Sequence, residues 1–399
     1  MPTKELIVSM LARLAPPVVV FCAVVASSAS LLGCERAGES KEVGDAVSGA
    51  PQREVVVYVS ADESIARPIL DAFTKETGIA VRARFDGENA KTTALAAMIT
   101  TEHDAPRADV FWSSECFAAA QLGRAGMIAP WRSYRTDHIP DSMRGESGWW
   151  HGFAPRMRVL VYDPRRISQE QLPKSMLDLA TPALGRRIAM ADPRFGTTRG
   201  HVGAFASMME WRDPGSFKKW VDGFVANAPR IQVGGNAAVV DAVLRNEADF
   251  GLTDSDDFYA AIADGATLAM IPLRQFPQGE VGGGPVMIPN SVAQIANCPH
   301  PIEANELMLF LMEPKVTEWL AASKSGNFIV ESGKESATAK ADHKHSPPPD
   351  GLPLMPAVVQ GVRIVQVDDP FQYDEPTVLD SIDQSVALLR EAWMKQGSP

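Results

Sequence analysis

Between residues 54 and 112 the chain alternates between two hydrophobic periods, and that alternation limits the folds open to it. EVVVYVS at 54–60 is a β-branched run bounded by a small polar residue, the signature of a buried strand. Residues 62–76 then repeat apolar side chains at helical spacing, with Asp62 placed to cap the start and Gly78 to stop the end. A strand is predicted over Ile79–Phe85, a helix over 89–102 and a strand over Ala108–Trp112. Strand, helix, strand, helix, strand implies a parallel sheet covered by helices on both faces. Such sheets bind ligands beyond the carboxyl ends of their strands. The polar residues there are Ser60, Asp62, Asp86, Glu88, Ser113, Ser114 and Glu115. Any one alone reads as a helix cap; three consecutive strand ends carrying them point to a binding site.

A second α/β unit follows. RMRVLVY at 156–162 is a strand opened by Arg156 and Arg158. Strand Arg187–Met190 leads through ADPRFGTTRGH into a helix from about Thr198, placing His201 on its first turn. Strand Ile231–Val233 leads through Gly234, Gly235 and Asn236 into another helix. Strand Phe250–Leu252 runs into Thr253, Asp254, Ser255, Asp256 and Asp257. A short strand lies within 282–291, and helices are predicted over 301–313 and 314–323. Residues 332–350 are polar and read as a loop. The last helix, about 377–396, aligns Leu379, Ile382, Val386, Leu389 and Trp393 on one face. Two α/β units in one chain suggest a ligand cleft between lobes.

The amino terminus has another purpose. Lys4 and Arg13 precede an apolar stretch over 14–33 that ends Leu31-Leu32-Gly33-Cys34. This is the pattern of a secretory signal, and the tetrapeptide resembles a bacterial lipobox, which implies cleavage before Cys34 and lipid attachment to it. Pro16 and Pro17 disfavour a spanning helix. Residues 34–53 are polar and unpatterned and read as a flexible tether; a linker of that size reaches roughly 25 Å. A formal charge of −11 excludes the basic surface that nucleic acid requires. Of four cysteines, Cys116 and Cys298 lie in the folded part, and an oxidising compartment would allow them to pair. No G-x-S-x-G, H-E-x-x-H or C-x-x-C occurs, so the sequence offers no catalytic motif and the chain reads as a non-enzyme. Ser332-Gly333-Lys334-Glu335-Ser336 lacks the upstream Gly of a P-loop, and His343 and His345 sit in a Pro-rich loop.

VVVYVSADESIARPILDAFTKETGI, PRADVFWSSECFAAAQLGRAGMI, RVLVYDPRRI, ADPRFGTTRGH, FGLTDSDD and MIPNSVAQIANCPHPIEANELMLFLMEP occur in an order that resembles a known family. It is that of bacterial extracellular solute-binding proteins of ATP-binding-cassette (ABC) importers, of the type that includes ferric-iron-binding proteins. The resemblance implies a type II periplasmic-binding fold of two lobes around a cleft, usually monomeric, serving a membrane permease and its ATPase. One lobe would hold 54–154 plus 285–335 and the other 155–284 plus 351–399, with 336–350 an insertion. The crossovers would lie near Ala154–Arg158 and Gly284–Ile288.

In the ferric binders, iron is held by a His or carboxylate after the first strand, a Glu after the third and two adjacent Tyr in the second lobe. The corresponding positions here are Asp62, Ser114 with Glu115 beside it, and Ser255-Asp256. The tyrosine pair is absent, and Tyr259 lies a helical turn further on. Ferric iron favours hard oxygen donors, which Asp62, Glu115, Asp254 and Asp256 would supply if iron is the transported ligand. Gly196, Thr197 and Thr198 open a helix where N–H groups favour an anion. Arg156 and His201 are placed to join that site. It would suit a synergistic anion beside iron or, equally, the phosphate, phosphonate or carboxylate of an organic solute. The remaining alternative is a sensing module that hands its ligand to a membrane receptor.

Overall fold

The computed structural model describes residues 53–87, 92–137, 139–184, 187–280, 282–329, 346–356 and 373–396. The signal, Cys34, the tether up to residue 52, Glu88 and the 332–345 stretch lie outside them.

The first unit runs β1 (Glu54–Val59), α1 (Glu63–Thr77), β2 (Ala80–Phe85), α2 (Thr93–Thr101), β3 (Val110–Ser113) and α3 (Phe117–Arg124). β1 pairs in parallel with both β2 and β3, as the alternation requires. α1 turns Ile65, Ile69, Leu70 and Phe73 inward. It ends where Gly78 enters the left-handed region at φ 72° and returns its N–H to the Thr74 carbonyl at 2.8 Å. Asp62 stands at the N-cap position, but its side chain makes no capping bond.

The second unit comprises β4 (His151–Tyr162), β5 (Ile188–Ala191), α4 (Gly196–Arg212), α5 (Ser216–Ala226), β6 (Arg230–Gln232), α6 (Gly235–Leu244), β7 (Phe250–Asp254), α7 (Ser255–Ala263) and β8 (Ala269–Pro272). β9 (Met287–Gln294), α8 (Pro301–Leu311), α9 (Pro314–Ala322) and α10 (Glu375–Gln396) complete the described elements. The strands form one curled sheet in the order β2-β1-β3-β9-β4-β7-β5-β6, with β8 on β4. β4 joins the two halves. Its first residues pair with β9, and its last with β7 and β8. The pairing with β9 is interrupted by a bulge between Phe153 and Arg156, where Ala154 adopts φ 42°, resumes at Arg156 and Met157, and passes to β7 from Arg158. The Ala154 carbonyl there accepts the side-chain amides of Asn290 at 2.9 Å and Asn327 at 2.8 Å.

Behind the sheet, α10 lies along α4 and α5. Gly203 lets Ile382 approach so closely that a Cβ would sit 2.6 Å from its Cγ1. Gly200 does the same for Phe117 of α3, at 2.4 Å from Cδ2. Arg199 pairs with Asp383 and Arg124 with Asp380, so α10 grips both α4 and α3. Leu379, Ile382, Val386 and Leu389 are buried as the helical face predicts, but Trp393, a turn further along that face, is 36% exposed. Cys116 and Cys298 are both buried and free, so they form no disulfide. No helix among the described residues is long and apolar enough to cross a membrane.

Candidate functional site

A cavity of about 100 Å³ opens between the carboxyl ends of β1, β3 and β7 and the amino ends of α4 and α6. Eight of the residues singled out from sequence line it: Ser60, Asp62, Ser114, Arg156, Thr197, Thr198, Asp254 and Asp256. Four do not. Asp86 ends β2 and turns Oδ1 to the Gly87 N–H at 3.2 Å. Glu115 folds back on its own helix, accepting the N–H groups of Phe117 at 2.6 Å and Ala118 at 3.1 Å. Burial pushes its carboxyl upward; Arg199 and those N–H groups only partly restrain it. Ser255 Oγ accepts the Met157 N–H at 3.1 Å. His201 lies behind the cavity wall, between Arg158 and Gln275.

The centre of the site is an arginine that the sequence reading passed over. Arg158 is fully buried, and its Nη1 donates to Asp254 Oδ1 at 2.6 Å. The same guanidinium reaches Thr197 Oγ1 at 3.3 Å, Asn236 Oδ1 at 3.4 Å and His201 Nδ1 at 3.3 Å. Asp254 also accepts the Thr197 hydroxyl at 2.5 Å and the Asn236 amide at 2.9 Å. Burial alone would raise the Asp254 carboxyl, but Arg158, Arg156 and these hydrogen bonds hold it below the usual range. Asp254 therefore ties β4, α4 and α6 together, and its oxygens are committed to protein donors. His201 donates from Nε2 to Gln275 Oε1 at 2.7 Å and accepts at Nδ1, which fixes the neutral ring. Burial and the Arg158 charge push its pKa down to about 3.

Arg156 is the cation that lines the cavity, and it is only 5% exposed. One guanidinium nitrogen donates to the Ser114 carbonyl across the cavity. Its Nε lies 3.4 Å from Asp256 Oδ2 and 3.5 Å from Asp254 Oδ2, without a hydrogen-bond partner of its own among the described residues. Burial opposes its charge, but Asp256, Asp254, Asp257 and Asp62 outweigh burial and raise its pKa. The carboxylates of Asp254, Asp256 and Asp257 converge to within 4.8 Å.

Three more contributors were missed. Asn236 was read as a turn residue, yet it braces Thr197 and Asp254. Asn290 and Asn327 face the cavity from β9 and from the segment after α9. Arg158 had a legible signal: two residues from Arg156 on one strand, it shares that face. Tyr259 packs on Phe258 and Phe328, at ring distances of 5.2 and 6.4 Å, and is not among the cavity-lining residues.

Strand ends and helix starts converging on a cavity beside a curled α/β sheet are the arrangement expected of a solute-binding protein. Residues 55–323 match the family model described as bacterial extracellular solute-binding protein, and the chain belongs to that family. It is 30% identical over 207 residues to the Fe(3+)-binding periplasmic protein of Serratia marcescens, an alignment covering 52% of this chain and 58% of the relative. It is 28% identical over 205 residues to the major ferric iron-binding protein of Neisseria meningitidis, covering 48% and 59%. The chain thus spans less than two thirds of these relatives' length. Among solved structures, iron-bound HitA from Pseudomonas aeruginosa superposes with TM-score 0.66 at 22% identity, covering 85% of this chain and 99% of that one. AfuA from Actinobacillus pleuropneumoniae with fructose-6-phosphate bound gives 0.63 at 16% identity, covering 86% and 99%. These likenesses establish the two-lobe type II periplasmic-binding fold.

Proposed function

We propose that this chain is the substrate-binding component of an ABC importer, delivering a ligand with an oxyanion to a membrane permease and its ATPase. Arg156 carries the reading. It is buried, it lines the cavity, and it stands beside the amino end of α4, where Thr197 and Thr198 present helix N–H groups. Ferric iron held with a small anion is the first form of that ligand. Asp62 and Asp256 line the cavity with Asp257 and are hard oxygen donors suited to the ion, and the curated relatives above are named for ferric iron. Glu115 is engaged with its own helix, so the proposed metal set is Asp62, Asp256 and Asp257, with Asp254 holding the frame. A phosphorylated organic solute is the second form. It is favoured by the missing tyrosine pair, and AfuA, which shares the fold, was solved with a sugar phosphate.

Calorimetry of the apo-protein against ferric citrate, phosphate and sugar phosphates separates the two. Retained affinity in a strong chelator rejects the iron form, and silence toward every oxyanion rejects the whole reading.

The lobes are assigned as 54–154 with 285–335 and 155–284 with 351–399, hinged where β4 and β9 change partners. The protein is proposed to act as a monomer, exported and held to the membrane by lipid on Cys34. The Leu31–Cys34 tetrapeptide supports this. Equal fatty-acid labelling of wild type and Cys34→Ala rejects the anchor.

A further inference from the structure

Opposite α4 and beside Asp62, the cavity is lined by the neutral side chains of Ser60, Ser114, Asn290 and Asn327, whose hydrogen bonds can be counted. These four are each more than nine-tenths buried, as is Thr92, which bonds to the two serines without lining the cavity. A hydroxyl has one proton to give and two positions to accept. Thr92 Oγ1 donates to Ser60 Oγ at 3.1 Å, and Ser60 Oγ donates to Ser114 Oγ at 3.4 Å. The Ser114 proton is then the one shared with Thr92 Oγ1 at 3.3 Å, closing a ring. Ser60 Oγ also takes the Ser114 backbone N–H at 2.8 Å, which fills it. Ser114 and Thr92 each keep one accepting position. The amide oxygens of Asn290 and Asn327 are taken by Trp112 Nε1 at 3.3 Å and Ser325 Oγ at 2.7 Å. Each of the two amides gives one proton to Ala154 and, among the described residues, keeps the other.

The wall therefore holds spare acceptors and spare donors side by side. An ammonium group only donates and a carboxylate or phosphate oxygen only accepts; a hydroxyl does both. Trp112, Ile65 and Leu320 line the same cavity and give apolar cover for a carbon skeleton. We infer that the ligand is a hydroxylated phosphate ester, its phosphate at α4 and Arg156 and its hydroxyls against the Ser114 and Asn327 wall. This rests on the second, phosphorylated form of the oxyanion reading above.

The test is calorimetry of the full chain with inorganic phosphate, glycerol phosphate, propyl phosphate and phosphoethanolamine, each with and without ferric iron. A site built around a hydroxyl rejects the analogue lacking it, so glycerol phosphate should bind at least about tenfold more tightly than either of the other esters. Ser114→Ala should narrow that preference; Asn327→Ala serves if the first variant does not fold. Propyl phosphate binding as tightly as glycerol phosphate overturns the inference and leaves the oxyanion reading standing. A preference unchanged in both variants overturns the wall assignment. Failure of all four, inorganic phosphate included, removes the oxyanion reading and the inference together.

Discussion

Arg158 and Asp254 form an ion pair at 2.6 Å in which neither side chain reaches solvent, and Asp254 binds Thr197 and Asn236 through its other oxygen. Removing one partner from such a pair leaves an uncompensated buried charge. Arg158→Met should therefore destabilise the protein by about 3–5 kcal/mol, as urea denaturation reads it. A loss below about 1 kcal/mol would show that the pair does not organise this part of the fold.

Arg156 faces the cavity and should behave differently. Arg156→Ala removes a charged donor from an oxyanion and should weaken binding by roughly 1.5–3 kcal/mol, about ten- to a hundredfold. Calorimetry reads this directly. Wild-type affinity in the variant would place the oxyanion elsewhere.

Glu115 distinguishes a cap from a ligand. Glu115→Ala, which removes both acceptor oxygens, should leave ferric and oxyanion affinity unchanged while costing about 0.5–2 kcal/mol of stability through the start of α3. A large loss of metal affinity would return Glu115 to the metal set.

His201 sets a pH dependence with a definite sign. Its folded pKa is pushed from 6.5 to about 3, so the unfolded chain binds its proton first as pH falls. The contribution is complete above the unfolded pKa and is lost progressively as pH drops from 6.5 toward 3. His151, lowered to about 4 by burial and nearby Arg144, adds in the same direction. His201→Gln should flatten the acid limb of a stability–pH curve, and an unchanged slope would contradict the buried neutral ring.

The first unit was legible because its signals are local. β-branched runs mark β1, and Gly78 ends α1 at a positive φ. β8, Ala269–Pro272, went unnoticed because four residues carry no period and its pairing with β4 comes from far along the chain. The same divide runs through the site. Charged residues at strand ends stood out, and Arg156, Asp62 and Asp256 do line the cavity. Thr92, Asn236 and Asn327 did not, since neutral polar residues between elements look like turn formers until the fold brings them together. Glu115 shows the opposite error: a carboxylate two residues ahead of a helix reads equally as ligand or cap, and only its bonds to Phe117 and Ala118 decide.

The grip of α10 on α4 has a consequence for how the protein is made. Synthesis proceeds from the amino end, and domains fold as their parts become available. Ile382 and Asp383 pack against Gly203 and Arg199, on the helix whose first turn lines the cavity, yet they are joined to the chain long after it. A nascent chain that has passed α4, α6 and α7 holds every charged residue among the described cavity lining but lacks the helix that covers the back of α4. Its capacity to hold cargo should therefore arrive late and abruptly, once α10 docks.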